Sequence, residues 1–245
     1  MDNGLFWLGR DRRGEGIVYR ANGYTGIRIS THAVEWQIQQ YDDISDAIAY
    51  TYQQDGHSFY VLVFPSANTT WVYDAATQAW HERAGFTDGN FTRHRGNCQM
   101  AFNNKVVIGD FENGNIYAFD LDDFSDNGGI QKWLRTWRAL PTGTNNLRRT
   151  AQHTLQLDCE SGVGLNLGQG SDPQVMLRFS DDGGHTWSNE HWKSMGKIGE
   201  YYKRVLWRRL GMTTKLRDRV YEVSGTDPVK IAIMGAELIL SPTNA

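Results

Sequence analysis

The chain has 245 residues, enough for one large β domain or two smaller ones, and its 40% hydrophobic share can build a core. A charged share of 22% sets it apart from disordered chains, and a net charge of −3 argues against a dedicated nucleic-acid binder, which is normally basic overall. Nine Trp in a 12% aromatic share, with 26 Gly against 5 Pro, favour short aromatic strands joined by tight turns.

In chain order, residues 5–8 (LFWL) and 16–20 (GIVYR) read as a first pair of strands. Residues 30–41 (STHAVEWQIQQY) break the period of two. Ser30 or Thr31 can cap a short helix there, with Ala33, Trp36, Gln37 and Gln40 on one face. Residues 46–52 fit a strand or a helix equally. The run 59–64 (FYVLVF) reads as a buried strand, and 71–74 (WVYD) and 105–109 (KVVIG) as two more. Residues 114–120 (GNIYAFD) follow a turn at Glu112-Asn113-Gly114, whose Asn-Gly pair accepts positive φ cheaply.

Residues 64–80 end a strand in Tyr-Asp, turn through a Thr and open the next strand with Trp80. Kelch-like propeller blades have this layout, and 116–120 repeats its first half. About three such units precede Pro141, whereas a closed propeller needs about four to eight, so the first half cannot close a ring by itself. The polar stretch 140–149 (LPTGTNNLRR) is the linker candidate. Strands then resume at 153–159, 174–180, 220–223 and 229–233, the last with Val229, Ile231 and Ile233 on one face. About a hundred residues patterned this way suit a small β-sandwich. The expected organisation is all-β: partial propeller-like blades over 1–142, with one short helix near 30–41, and a sandwich-like domain over 143–245.

The sharpest motif is Ser180-Asp181-Asp182-Gly183-Gly184-His185-Thr186-Trp187, which fits the Asp-box pattern S-x-D-x-G-x-T-W. Asp182 can accept backbone N–H bonds within the turn, Gly184 can take the left-handed conformation, and Trp187 can cover the hairpin. The residues Ser180, Asp182, Gly184, Thr186 and Trp187 therefore read as a structural element. Asp-boxes also occur in sialidases, so a carbohydrate-binding or sialidase-like propeller is the alternative. A glycosidase needs a placed carboxylate pair, and no spacing here singles one out. No catalytic residue and no cofactor site are expected.

Residues 120–129 (DLDDFSDNGG) begin like a calcium loop, but the twelfth position from Asp123 is Leu134, where a bidentate Glu is required. They read as a solvated acidic turn. The histidines show no metal-ligand spacing with Cys98 or Cys159, so no metal is expected, and both cysteines read as buried free thiols of a protein assembled in a reducing cytoplasm. Residues 1–13 lack a signal peptide's apolar run, and 231–240 is too short for a membrane helix, so no membrane partner is expected. The segment 203–219 carries Lys203, Arg204, Arg208, Arg209, Lys215, Arg217 and Arg219 against the single acid Asp218. It reads as a DNA-facing patch, an intersubunit surface or an ordinary solvated face.

The segments 6–24, 28–38, 45–65, 69–83, 170–188 and 196–211 resemble the packaged-DNA stabilisation proteins of short-tailed phages, also called tail accessory, nozzle or hub proteins. The resemblance runs from about Leu5 to about Leu240. It implies a homohexameric ring below the portal and its adaptor ring, with tail needle or spike proteins as further partners. It also implies a propeller-like domain, a role in closing the channel and retaining the genome until ejection, and transient, weak contact with double-stranded DNA. It implies a virion protein without enzymatic activity. Longer members carry sequence before the point matching Gly4, so the chain resembles their C-terminal part.

Overall fold

The computed structural model describes residues 4–10, 12, 16–138, 149–214 and 219–243. The linker candidate at 140–149 therefore lies, but for Arg149, outside the described residues. Tertiary contacts divide the chain into Met1–Leu121 and Asp122–Ala245.

The first unit is a series of antiparallel meanders. Strands β1 (Phe6–Arg10), β2 (Gly16–Asn22) and β3 (Thr25–Arg28) form the first sheet. Helix α1 (His32–Gln39) follows, then the second sheet of β4 (Ile48–Gln54), β5 (His57–Phe64), β6 (Thr69–Asp74) and β7 (Ala79–Glu82). A two-stranded ribbon of β8 (Ala84–Thr87) and β9 (Asn90–Arg93) leads to the third sheet, β10 (Gly96–Phe102), β11 (Lys105–Asp110) and β12 (Ile116–Ala118). The ambiguous stretch 46–52 is thus mainly strand, since alternation turns Tyr50 and Tyr52 inward together.

Strand β5 shows why this sequence stacks its sheets. Its run is apolar at both parities, as a strand buried on both faces requires. Tyr60, Leu62 and Phe64 join Val18 of β2 and Tyr73 of β6 in one core, where Phe6 stacks on Tyr60 at 5.3 Å. Val61 and Val63 join Tyr50, Tyr52 and Val72 in another, against Val106 of β11 and Phe119. Both cores are apolar, so both faces of the middle sheet contribute burial energy.

The helix forms where the sequence places it, but its buried face differs. Thr31 is the N-cap, its side chain accepting from the Val34 N–H. Val34, Glu35 and Ile38 are buried, while Ala33, Trp36 and Gln40 are exposed. Glu35 decides the rotation: its carboxylate is held by the Arg28 guanidinium and by Ser30 Oγ at 2.5 Å. Burial alone would push that carboxyl up, but the hydrogen bonds from Arg28 and Ser30 hold it below its ordinary value.

Two strand ends carry the same device. At the end of β6, Asp74 accepts from the Ala76 N–H at 2.9 Å and the Thr77 hydroxyl at 2.8 Å. At the end of β11, Asp110 accepts from the Glu112 N–H at 2.7 Å and the Asn113 amide at 3.0 Å. Downstream, the acidic stretch satisfies itself: Asp123 accepts from the Ser125 N–H and hydroxyl at 2.9 and 2.7 Å.

His94 gives this unit a pH dependence. Its Nδ1 accepts from the Gly96 N–H at 3.1 Å and its ring packs on Phe119. Burial, with Arg83 and Arg95 nearby, lowers its pKa from 6.5 to about 3. The folded state then binds fewer protons than the unfolded state, so stability is full above the unfolded value and falls as the pH drops toward the folded one. Urea unfolding at pH 7, 6 and 5 should show His94 contributing a loss approaching about 1.4 kcal/mol per pH unit below the unfolded value. His94→Gln, which keeps an acceptor but cannot charge, should flatten that slope.

The second unit is built of two sheets. One has the order β13 (Trp133–Arg138), β18 (Val220–Gly225), β15 (Gln174–Ser180), β16 (His191–Ser194). The other has the order β17 (Val205–Arg208), β14 (Thr150–Cys159), β19 (Ile233–Pro242). Between them lie Leu155, Leu157, Val175, Leu177, Val205, Trp207, Tyr221 and Val223. An irregularity in β14 between Gln152 and Thr154 shifts the inward parity from Thr150 and Gln152 to Leu155 and Leu157.

Three sequence expectations are corrected here. The strand expected at 229–233 begins only at Ile233, and Val229 is instead buried beside the loop glycine Gly170. The boundary expected at 142 leaves β13 in the first unit, but β13 pairs along its whole length with β18 of the second. Both cysteines are free, yet Cys98 is exposed, because the alternation of β10 turns it to the outer side of its sheet.

Candidate functional site

The connection between β15 and β16 carries the Ser180–Trp187 motif. Leu177 pairs with His191 and Gln174 with Ser194, so the motif lies in a hairpin loop. Ser180 Oγ donates to Asp182 Oδ1 at 2.6 Å and accepts from the Gly184 N–H at 2.9 Å. Asp182 accepts from the Thr186 N–H at 2.9 Å and the Thr186 hydroxyl at 2.6 Å. Gly183 and Gly184 have φ of 76° and 104°, a region L side chains rarely adopt. Trp187 lies over the turn, with the Arg178 guanidinium 4.7 Å from its ring. The side-chain oxygens of Ser180 and Asp182 are thus spent within the loop, which is the work of a folded turn.

The donors around Asp182, led by Ser180 and Thr186, hold its carboxyl well below the usual range. The folded pKa is lowered, so the turn is stable above the ordinary carboxylate pKa and weakens only as the pH falls through the lowered value. Amide exchange should therefore find the Thr186 N–H protected at pH 4 as at pH 7. Asp182→Ala should remove that protection at both.

The basic segment does not form one surface. Arg219 is only 1% exposed. Its Nε and Nη2 donate to the two oxygens of Asp181, each at 2.6 Å, and its Nη1 donates to the Leu210 carbonyl at 2.6 Å. Its guanidinium also lies 4.3 Å from the Phe179 ring. Arg219 is therefore an internal anchor of the loop that carries the motif, and its place in an exposed patch is corrected. The pairing with Asp181 left no trace in the sequence, since the two residues are 38 positions apart.

Lys203 and Arg204 precede β17, with Lys203 Nζ 3.8 Å from Glu200. Arg208 and Arg209 are exposed at the other end of that strand, about 13 Å further on at an extended rise. Lys215 and Arg217 lie outside the described residues. Arg208 and Arg209 line an open cleft of about 810 Å³ with Glu190, His191, Trp192 and Lys193. The sequence reading missed His191, Trp192 and Lys193, because only the pairing of β16 with β15 beside β17 brings them there.

The cleft has cations and aromatic surface but no paired carboxylates. Among the described residues, no group of three or more His, Cys, Asp or Glu is placed to hold a metal ion. A family model described as bacteriophage P22 Gp10, beta-propeller, matches residues 1–123, and one described as bacteriophage P22 Gp10, beta-sandwich, matches residues 132–240. The chain belongs to the bacteriophage P22 Gp10 family.

The stacked meanders of the first unit are thus the Gp10 propeller region, and the two sheets of the second are the Gp10 sandwich. Gp10-family proteins are phage tail and DNA-stabilisation components, so this chain is a structural component of the virion tail and assembles with other virion proteins. The match favours this role over the carbohydrate-binding or sialidase-like reading. No curated protein matches the chain. Among the described residues no helix is long and apolar enough to cross a membrane.

Proposed function

We propose that the protein is a subunit of a homo-oligomeric ring of six copies in the tail, below the portal and its adaptor ring, which closes the channel and retains packaged DNA until ejection. The observation that carries this reading is the match of both Gp10 regions along the chain. In this reading the ring also meets the tail needle or spike proteins. The protein acts by assembly and not by catalysis, consistent with a Ser180–Trp187 loop, read as an Asp-box, in which Ser180, Asp182 and Thr186 bond to one another.

Arg208, Arg209 and Lys193 then form a cationic surface for weak contact with phosphates. Weak contact suits a channel through which DNA must slide. Phage particles assembled without this chain should package DNA and then lose it. Supplying the chain in trans should restore retention. Particles that keep both genome and infectivity without it would end this reading. Charge reversal at Arg208 and Arg209 tests the DNA contact separately, since unchanged retention would remove that part alone.

A further inference from the structure

Two loops at one end of the sandwich carry large side chains that its core does not use. The β14–β15 and β16–β17 connections meet there and brace each other. The Gly162 N–H donates to the Met195 carbonyl at 3.2 Å, and the Gly199 N–H to the Gly162 carbonyl at 3.1 Å. Ser161 Oγ adds a bond to the Lys203 carbonyl at 2.9 Å. The fit is close: a Cβ at Gly162 would come within 2.9 Å of the Tyr201 ring, and one at Gly164 within 3.1 Å of the Ile198 nitrogen. On this brace Ile198, Tyr201 and Tyr202 are 56, 75 and 80% exposed. Leu167 is 87% exposed in the turn that the Leu165 N–H closes on the Gly170 carbonyl at 2.8 Å. Four such side chains on two joined loops exceed the scatter of single residues that is normal on a surface.

The charges on the same loops are one-sided. Residues 161–171 and 196–204 hold Lys197, Lys203 and Arg204 against the single acid Glu200. Glu200 is taken up within its own loop, accepting from the Lys197 N–H at 3.0 Å with Lys203 Nζ at 3.8 Å. Among the described residues Lys197 and Arg204 have no acidic partner. Lys203 and Arg204 are the part of the basic segment that the cleft leaves over, since β17 parts them from Arg208 and Arg209.

We propose that these two loops seat the protein on an anionic lipid surface. Leu167, Ile198, Tyr201 and Tyr202 enter the headgroup layer, and Lys197, Lys203 and Arg204 meet the lipid phosphates. The chemistry fits this occupant in three ways. Apolar side chains ringed by cations, with the one acid engaged, complement a negatively charged leaflet. Tyrosine, apolar along its ring and polar at its tip, suits the boundary between water and lipid. The loops also bond much of their own backbone, as a layer poor in water requires. Besides the bonds above, the Glu200 N–H donates to the Lys197 carbonyl at 2.9 Å and the Lys203 N–H to the Glu200 carbonyl at 3.2 Å.

Contact with a lipid surface needs no spanning helix, and among the described residues there is none. The proposal therefore revises the expectation that the chain has no membrane partner. It goes beyond the tail role, which particle retention tests separately, and it uses a different part of the sandwich from the cleft at Arg208 and Arg209.

The test is flotation of the purified full chain with vesicles of phosphatidylcholine, made with and without phosphatidylglycerol. The protein should float with the anionic vesicles, float less with phosphatidylcholine alone, and be released as salt rises. Ile198→Ser combined with Tyr202→Ser should weaken binding at least about tenfold. Both side chains are exposed, so the far-ultraviolet spectrum and the mass by light scattering should match wild type. Lys197→Gln and Arg204→Gln should each weaken binding to the anionic vesicles about fivefold. Arg208→Gln with Arg209→Gln should weaken it less. Wild-type protein that stays at the bottom of the gradient with anionic vesicles would overturn the proposal. So would flotation indifferent to Ile198 and Tyr202, or an equal loss from the Arg208 and Arg209 changes. A smaller mass for the Ile198 and Tyr202 variant would make the loops a contact between copies and would overturn it too.

Discussion

Arg219→Ala is expected to lower the stability of the second unit by about 3–5 kcal/mol, the usual cost of breaking a buried ion pair from one side. The residue sits just before β18, a strand buried at every position. Its removal strands Asp181, whose carboxylate is mostly buried, and leaves the carbonyls of Leu210 and Met212 without their guanidinium donor. It also strips the cation from the face of Phe179. Arg219→Lys should recover only part of the loss, because an ammonium cannot span both carboxylate oxygens and still reach the carbonyls. The double change Arg219→Met with Asp181→Leu should be milder than Arg219→Ala, since no unpaired charge remains. Urea unfolding supplies the magnitudes, and hydrogen exchange in β15 and β18 assigns them to this unit. A loss near zero for Arg219→Ala would mean that water compensates the site and that the anchor is dispensable.

Trp207→Ala should cost a comparable amount, about 3–5 kcal/mol, through the cavity left by a large buried ring. Trp207 is 3% exposed in the core between the two sheets. Its indole N–H also donates to the His191 carbonyl at 2.8 Å, joining β17 in one sheet to the start of β16 in the other. Trp207→Phe separates the two effects. It keeps most of the apolar volume and forfeits the hydrogen bond, so its cost should be nearer about 1–2 kcal/mol. Because Trp207 lines the cleft beside Arg208 and Arg209, the alanine variant should also disturb that surface, whereas the phenylalanine variant should leave it in place.

The sequence by itself determined what depends on neighbours along the chain. The two-sided apolar run of β5 announced a strand buried on both faces, because strand parity is a local property. The pair Ser30 and Thr31 announced the helix start, where Thr31 proves to be the cap, and the spacing of Ser180, Asp182 and Thr186 announced a turn, since each bonds within a few residues. The long matching segments carried the family, and with it the tail role.

Tertiary structure decided what depends on distant partners. Val34 and Ile38 face inward, not Ala33 and Trp36, because Arg28 and Ser30 capture Glu35 and fix the rotation of the helix. Arg219 left the basic patch because Asp181 and two carbonyls offered its guanidinium a dry site. The strand expected at 229–233 starts late because the pairing with β14 begins only at Ile233. Which side of a strand its neighbours cover is visible only once sheet order is known, since a strand's pattern shows which residues are apolar but not what packs on them.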